Sequence, residues 1–201
     1  MTFAGIVAAG YLLGSCPWGY WLVRLFRGED VRRRGSGAIG ASNVWRAYGR
    51  RLGLAVVFLD TLKGFVPAFV GVHAVSSLCG ILAGAAAMAG HARPPFLRFQ
   101  KGGKMVATAG GVVIAVAPWA ALAIAAVWLA TFALSRYTSV ASIVSAIALP
   151  LAAAAFGYPV EVIVFTTLAA AAIIWLHRGN LRRLRAGTEH RFTWRRPAAL
   201  S

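Results

Sequence analysis

Seven apolar stretches separated by short polar connections dominate this chain, and the basic residues of those connections and of the tail all fall on one side once the stretches are laid across a bilayer in series. The stretches run from Phe3 to Val23, Leu52 to Val72, Ala74 to Gly90, Met105 to Ala117, Pro118 to Leu134, Ser139 to Phe156 and Tyr158 to Leu176. A helix needs roughly 20 residues to cross a hydrocarbon core about 30 Å thick, with about 17 as a lower bound. The fourth stretch is short, and Met105 to Leu134 reads equally as one long helix broken near Pro118. Charge decides between the two. With seven spans, the amino terminus and the outer connections (near His73, near Pro118 and from Gly157 to Val160) hold no Lys or Arg. Six spans would put either the first loop or the Arg-rich tail outside, against the positive-inside bias. The expected fold is an all-α integral membrane protein with seven transmembrane helices, amino terminus outside and carboxyl terminus cytoplasmic. It forms one domain over residues 1–201 with a basic cytoplasmic tail at 178–201.

A chain that is 59% hydrophobic and 13% charged, with mean hydropathy +0.70, leaves little room for a soluble reading. A net charge of +16 in a soluble domain would suggest nucleic acid, but here the cations sit in short segments beside anionic headgroups, so lipid is the expected partner and nucleic acid is not. Cys16 and Cys79 lie apart in apolar surroundings, suggesting neither a disulfide framework nor a metal cluster. No metal and no cofactor are expected, and the protein is expected to be a monomer. The first stretch lacks a basic leader and reads as a span rather than a cleaved signal. Arg185, Arg195 and Arg196 in the tail read as anchors to anionic lipid.

Two inner loops are rich in glycine. In the first, Gly35, Gly37 and Gly40 free the backbone to turn N–H groups toward one point, Ser36 and Ser42 add hydroxyls, and Arg46 supplies a charged fork, which together suit an organic phosphate. The G-x-x-x-x-G-K-[ST] spacing of a Walker loop is absent. In the second, Lys101 and Lys104 flank Gly102 and Gly103 at the start of a helix, where point charges join unpaired N–H groups. Within the second span, Asp60 and Lys63 share a helix face at i and i+3. Charges at membrane depth face the bundle interior in pairs, so these two read either as a structural ion pair or as substrate contacts. His91, His177 and Asn180 lie where spans leave the membrane on the inner side.

The segments GSGAIGASNVWR, DTLKGFVP, GHARPPFLRFQKGGKMVAT, RYTSVAS and HRGNLRRLRAGTE, in this order and spacing, resemble the bacterial acyl-phosphate:glycerol-3-phosphate acyltransferases, the PlsY family, over nearly the whole chain. The resemblance implies a seven-helix inner-membrane enzyme that moves a fatty acyl group from acyl phosphate to the 1-hydroxyl of glycerol 3-phosphate, giving lysophosphatidic acid and phosphate. It implies Ser36, Asn43 and Arg46 in a first phosphate site and Lys104 with Gly102 and Gly103 in a second. His177, Asn180 and Glu189 match the third inner block of the family. Three departures stand out: Ala38 replaces a usual Asn, Gln100 is an extra residue before Lys101, and Met105 replaces a Gly. One inserted residue turns a helix by about 100° unless a loop absorbs it.

An acyl phosphate is already activated and needs no covalent enzyme intermediate. The protein must bring two anionic substrates together, stabilise a carbonyl oxyanion and neutralise the leaving phosphate, tasks suited to Arg46, Lys104 and loop N–H groups. The proton of the attacking hydroxyl goes either to His177 or to the acyl phosphate. A transporter or flippase for a phosphorylated metabolite or lipid, or a catalytically impaired paralogue, is the alternative.

Overall fold

The computed structural model describes residues 2–192; the expectations for Arg195, Arg196 and the remainder of the tail lie outside them. Among the described residues the secondary structure is entirely helical. Helix α1 spans Phe3–Gly14 and α2 Trp18–Arg27. The loop after α2 carries a single 3-10 turn at Val31–Arg33 and a short helix, α3, at Ala41–Tyr48. Then come α4 (Arg50–Ala74), α5 (Ser77–Ala92), a 3-10 turn at Pro95–Leu97, and α6 (Val106–Val116). The chain continues with α7 (Pro118–Ser135), α8 (Thr138–Ala155), α9 (Val160–Leu176) and α10 (Arg178–Arg185).

Every apolar stretch of the sequence is helical, and Met105 to Leu134 divides at Ala117 into α6 and α7. Among the described residues, four helical segments are long and apolar enough to cross a membrane: Phe3–Arg27, Arg50–Ala74, Pro118–Ser135 and Thr138–Ala155. The pair α9 and α10, bent by 52°, makes a fifth if counted as one span. Helix α5, with 16 residues, and α6, with 11, are shorter.

The first stretch is not one continuous helix. Pro17 carries no N–H, and α1 ends just before it, leaving Ser15 to Pro17 as a break. Large apolar side chains point outward throughout: Leu134 is 85% exposed and Leu151 68%, while α7 buries only Ala120. A surface this apolar matches hydrocarbon rather than water.

Inside the bundle, small residues set the spacing. A methyl on Gly64 of α4 would overlap the Thr108 carbonyl, and one on Gly111 of α6 would overlap the Thr61 carbonyl, so α4 and α6 pack backbone to backbone. A main apolar cluster joins α5, α6, α8 and α9 through Met88, Val112, Leu149, Phe165 and Ile173. A second cluster, of Val23, Val31, Ile39, Val44, Val56 and Leu97, lies beneath the two glycine-rich loops. It holds the first loop against α2 and α4 and brings the second loop alongside.

Candidate active site

The first loop is organised around Asn43. Its side chain is 2% exposed; its Oδ1 accepts the Ser36 N–H at 3.0 Å, and its Nδ2 donates to the carbonyls of Ala38 (2.9 Å), Arg34 (3.1 Å) and Val31 (3.4 Å). Gly35 (φ 56°) and Gly37 (φ 69°) take left-handed conformations, and a methyl on Gly35 would overlap Asn43 Oδ1. Gly40 precedes α3 in an extended conformation with open space around it, as the residue that caps the helix. The amide of Asn43 thus closes the loop on itself.

The glycine spacing led us to expect backbone N–H groups converging on a phosphate, and four of the loop N–H groups are engaged within the protein. Ser36 N–H is held by Asn43, Gly37 N–H donates to Arg34 O at 3.1 Å, Gly102 N–H to Ala92 O at 3.0 Å, and Gly103 N–H to His91 O at 3.1 Å. A buried loop must satisfy its own donors, and these glycines serve the turn that does so. Donors available to an anion include the side chains, the first-turn N–H groups of α3, which follow Gly40, and those of α6, which follow Lys104 and have no partner within the helix.

Those side chains meet at a cluster drawn from distant parts of the chain. Lys104 Nζ donates to Asn180 Oδ1 at 2.7 Å, and Asn180 Nδ2 donates to Glu189 Oε1 at 2.6 Å. Glu189 also accepts from Ser139 Oγ (2.9 Å) and Arg183 Nε (2.7 Å), and its side chain is 4% exposed. Arg46 lies within electrostatic reach of Glu189, Arg183 and Lys104, and His177 within reach of Lys104 and Glu189. The first loop joins through α3, on which Asn43 and Arg46 stand one turn apart. Arg32 Nη1 links the two glycine loops directly, donating to Gln100 Oε1 at 2.7 Å. Lys101 is exposed at the rim, and Ser42 lies in the first turn of α3.

Electrostatics assign states to these groups. Burial lowers the Lys104 pKa to about 8; the Glu189 charge opposes the shift, and those of Arg183, Arg46 and Lys101 add to it. His177, one residue beyond α9, is lowered to about 4 by burial and then by the Lys104 charge, so it is neutral at pH 7. Its Nδ1 lies 2.8 Å from Ile173 O; a carbonyl only accepts, so Nδ1 carries the proton and Nε2 keeps its lone pair. Burial would raise the Glu189 carboxyl, but the bonds from Asn180, Ser139 and Arg183 outweigh it and hold the group ionised below its usual range. An ionised carboxylate repels phosphate, and here it orients Asn180 and Arg183.

Ser139 and Arg183 belong to the cluster although the sequence did not single them out. Arg183 stands one turn beyond Asn180 on α10, a spacing that signals a shared face. Phe192 closes the edge of the cluster: its ring packs edge-on against Trp45 and Phe132, and its N–H donates to Arg136 O at 2.7 Å. The sequence departures are also accommodated. Just before Gln100 the loop passes through two left-handed positions, Arg98 (φ 54°) and Phe99 (φ 56°), and the turn at Gly102 and Gly103 is anchored on the end of α5. Met105 itself is left-handed (φ 67°), a conformation that glycine adopts freely. Asp60 and Lys63 form an ion pair at 2.9 Å, with side chains 4% and 1% exposed. Among the described residues no group of three or more His, Cys, Asp or Glu is placed to hold a metal.

The family model for glycerol-3-phosphate acyltransferase matches residues 4–187. The chain belongs to this acyltransferase family. Curated glycerol-3-phosphate acyltransferases include one from Aquifex aeolicus (strain VF5), 46% identical over 189 residues, covering 93% of this chain and 97% of that protein. Another, from Desulforudis audaxviator (strain MP104C), is 44% identical over 191 residues, covering 95% and 96%. Among solved structures, PlsY (YgiH), an integral membrane glycerol 3-phosphate acyltransferase, matches in its glycerol 3-phosphate form with TM-score 0.91 and 45% identity over 95% of this chain and 96% of that one. Its lysophosphatidic acid form matches with TM-score 0.88 and 44% identity over 95% of each chain.

Proposed function

We propose that this acyltransferase moves a fatty acyl group from an acyl phosphate to the 1-hydroxyl of glycerol 3-phosphate, at a site on the cytoplasmic face of a bacterial inner membrane. The observation that carries the reading is the junction of Lys104, Asn180 and Glu189, with Arg46 and His177 in electrostatic reach, in a chain of this family. Arg46, Lys104, Lys101 and the amino end of α6 neutralise two phosphoryl groups, and Ser36 and Ser42 add hydroxyls at the rim.

Attack of the glycerol oxygen on the acyl carbonyl forms the new ester C–O bond. Collapse breaks the bond from the carbonyl carbon to the phosphate oxygen, and the leaving phosphate takes the electron pair. A cation beside that oxygen stabilises it as charge develops. The hydroxyl proton goes to Nε2 of His177 or to an oxygen of the phosphate itself. Seven crossings with the amino terminus outside place the first loop, the Lys104 loop and α10 on one leaflet, which this chemistry requires.

Purified protein, assayed for lysophosphatidic acid with palmitoyl phosphate, acyl carrier protein or coenzyme A thioesters as donors, tests the proposal. Palmitoyl phosphate alone is expected to support turnover. Arg46→Ala or Lys104→Ala is expected to lower it by about 10²-fold or more while the protein still folds. Unchanged turnover in both variants removes the site assignment, and turnover with a thioester alone removes the donor.

A further inference from the structure

The bundle buries a charged group that contributes nothing to the Lys104 cluster, and burying charge at membrane depth is costly enough to call for a use. Lys63 Nζ lies 2.9 Å from Asp60 Oδ1 and donates to Cys16 O at 2.7 Å. That carbonyl belongs to the break between α1 and α2 and also accepts the Trp18 N–H at 3.0 Å, so the ammonium ties α4 to the break. His91, 4% exposed, approaches the same oxygen, with Nδ1 3.7 Å from Oδ1, beyond hydrogen-bond distance. The three side chains thus link the broken first stretch, α4 and the end of α5.

His91 in turn underlies the second glycine loop. Its carbonyl accepts the Gly103 N–H, and the next carbonyl, of Ala92, accepts the Gly102 N–H. Its ring lies flat enough against Gly103 that a methyl there would overlap Nε2 and the adjoining ring carbon. Lys104 is the next residue along the chain, and its direction toward Asn180 depends on how this turn is seated.

We propose that His91, buried beside the Asp60–Lys63 pair, is a positioning residue: its ring is the seat on which the Gly102–Gly103 turn rests, and it sets where Lys104 meets substrate phosphate. This deepens the proposed reading of Lys104 and rests on it. None of the three side chains need touch substrate.

The fit between ring and glycine supplies a test. Gly103→Ala adds a methyl where the ring lies, and His91→Ala removes the ring. Steady-state kinetics with palmitoyl phosphate and glycerol 3-phosphate are measured for both single variants and for the double. Each single is expected to raise the KM of at least one substrate about tenfold, with kcat kept within about threefold. The double is expected to be at least about tenfold better in kcat/KM than the product of the two single losses, because the vacated space accepts the methyl. Losses that simply multiply, or a fall in kcat with both KM values unchanged, overturn the proposal. Should His91→Ala not fold, His91→Asn, which vacates the ring while keeping a polar group facing Asp60, takes its place with the same readout. Lys104→Ala in the same series separates the two claims. Unchanged turnover there defeats the site reading itself, whereas multiplying losses with an inactive Lys104→Ala defeat only the role of His91.

Discussion

Replacing Glu189 by Gln removes one charge and almost no volume, so it isolates what the carboxylate does. Glu189 accepts from Asn180 at 2.6 Å, Ser139 at 2.9 Å and Arg183 at 2.7 Å. An amide keeps one acceptor oxygen but turns an NH2 toward one of these donors. The bond from Arg183 is charge-assisted, and such bonds contribute about 1.5–3 kcal/mol. Arg183 is 35% exposed, so water recovers part of that loss, and about 2 kcal/mol is a reasonable net figure. Asn180 is the partner that orients Lys104, so the loss reaches the reacting groups, and 2 kcal/mol corresponds to roughly a 30-fold fall in kcat/KM. Phosphate release from palmitoyl phosphate and glycerol 3-phosphate reads the effect, with a thermal unfolding curve in detergent alongside. Glu189→Gln with kcat/KM within about twofold of the parent would show that Asn180 holds its place without the carboxylate.

Because Lys104 loses its proton near pH 8 and acts as a cation, kcat/KM is expected to hold from about pH 6 to 7.5 and to fall as pH rises through about 8; a rate that climbs steadily to pH 9 contradicts that role. His177→Ala is expected to lower kcat by about 10²-fold or more if Nε2 receives the proton, and by much less if the phosphate does, which a pre-steady-state rate at saturating substrate distinguishes. Asn43→Ala leaves the Ser36 N–H and several buried carbonyls without a partner, so about 3 kcal/mol of stability and the activity are expected to go together, measured by thermal shift and by turnover.

The helices were legible because a bilayer leaves the backbone few alternatives, and hydropathy with charge located each apolar stretch. The break at Ser15–Pro17 was not, since averaging over a span conceals one proline near its middle. Nor were α3 and α10, amphipathic helices inside segments read as loop and tail. In the site, Asp60 and Lys63 announced themselves by spacing and by the cost of charge in lipid. The part played by Asn43 depends on the path of the loop folded around it, which residue types alone do not specify. Ser139 enters the cluster only because Glu189, 50 residues later, returns to meet it.

Glu189 and Phe192 are the last described residues to join the cluster, while Ser36 and Arg46 are among the first to be synthesised. A chain emerging from the ribosome therefore presents most of its helices to the membrane before the Lys104–Asn180–Glu189 junction can form.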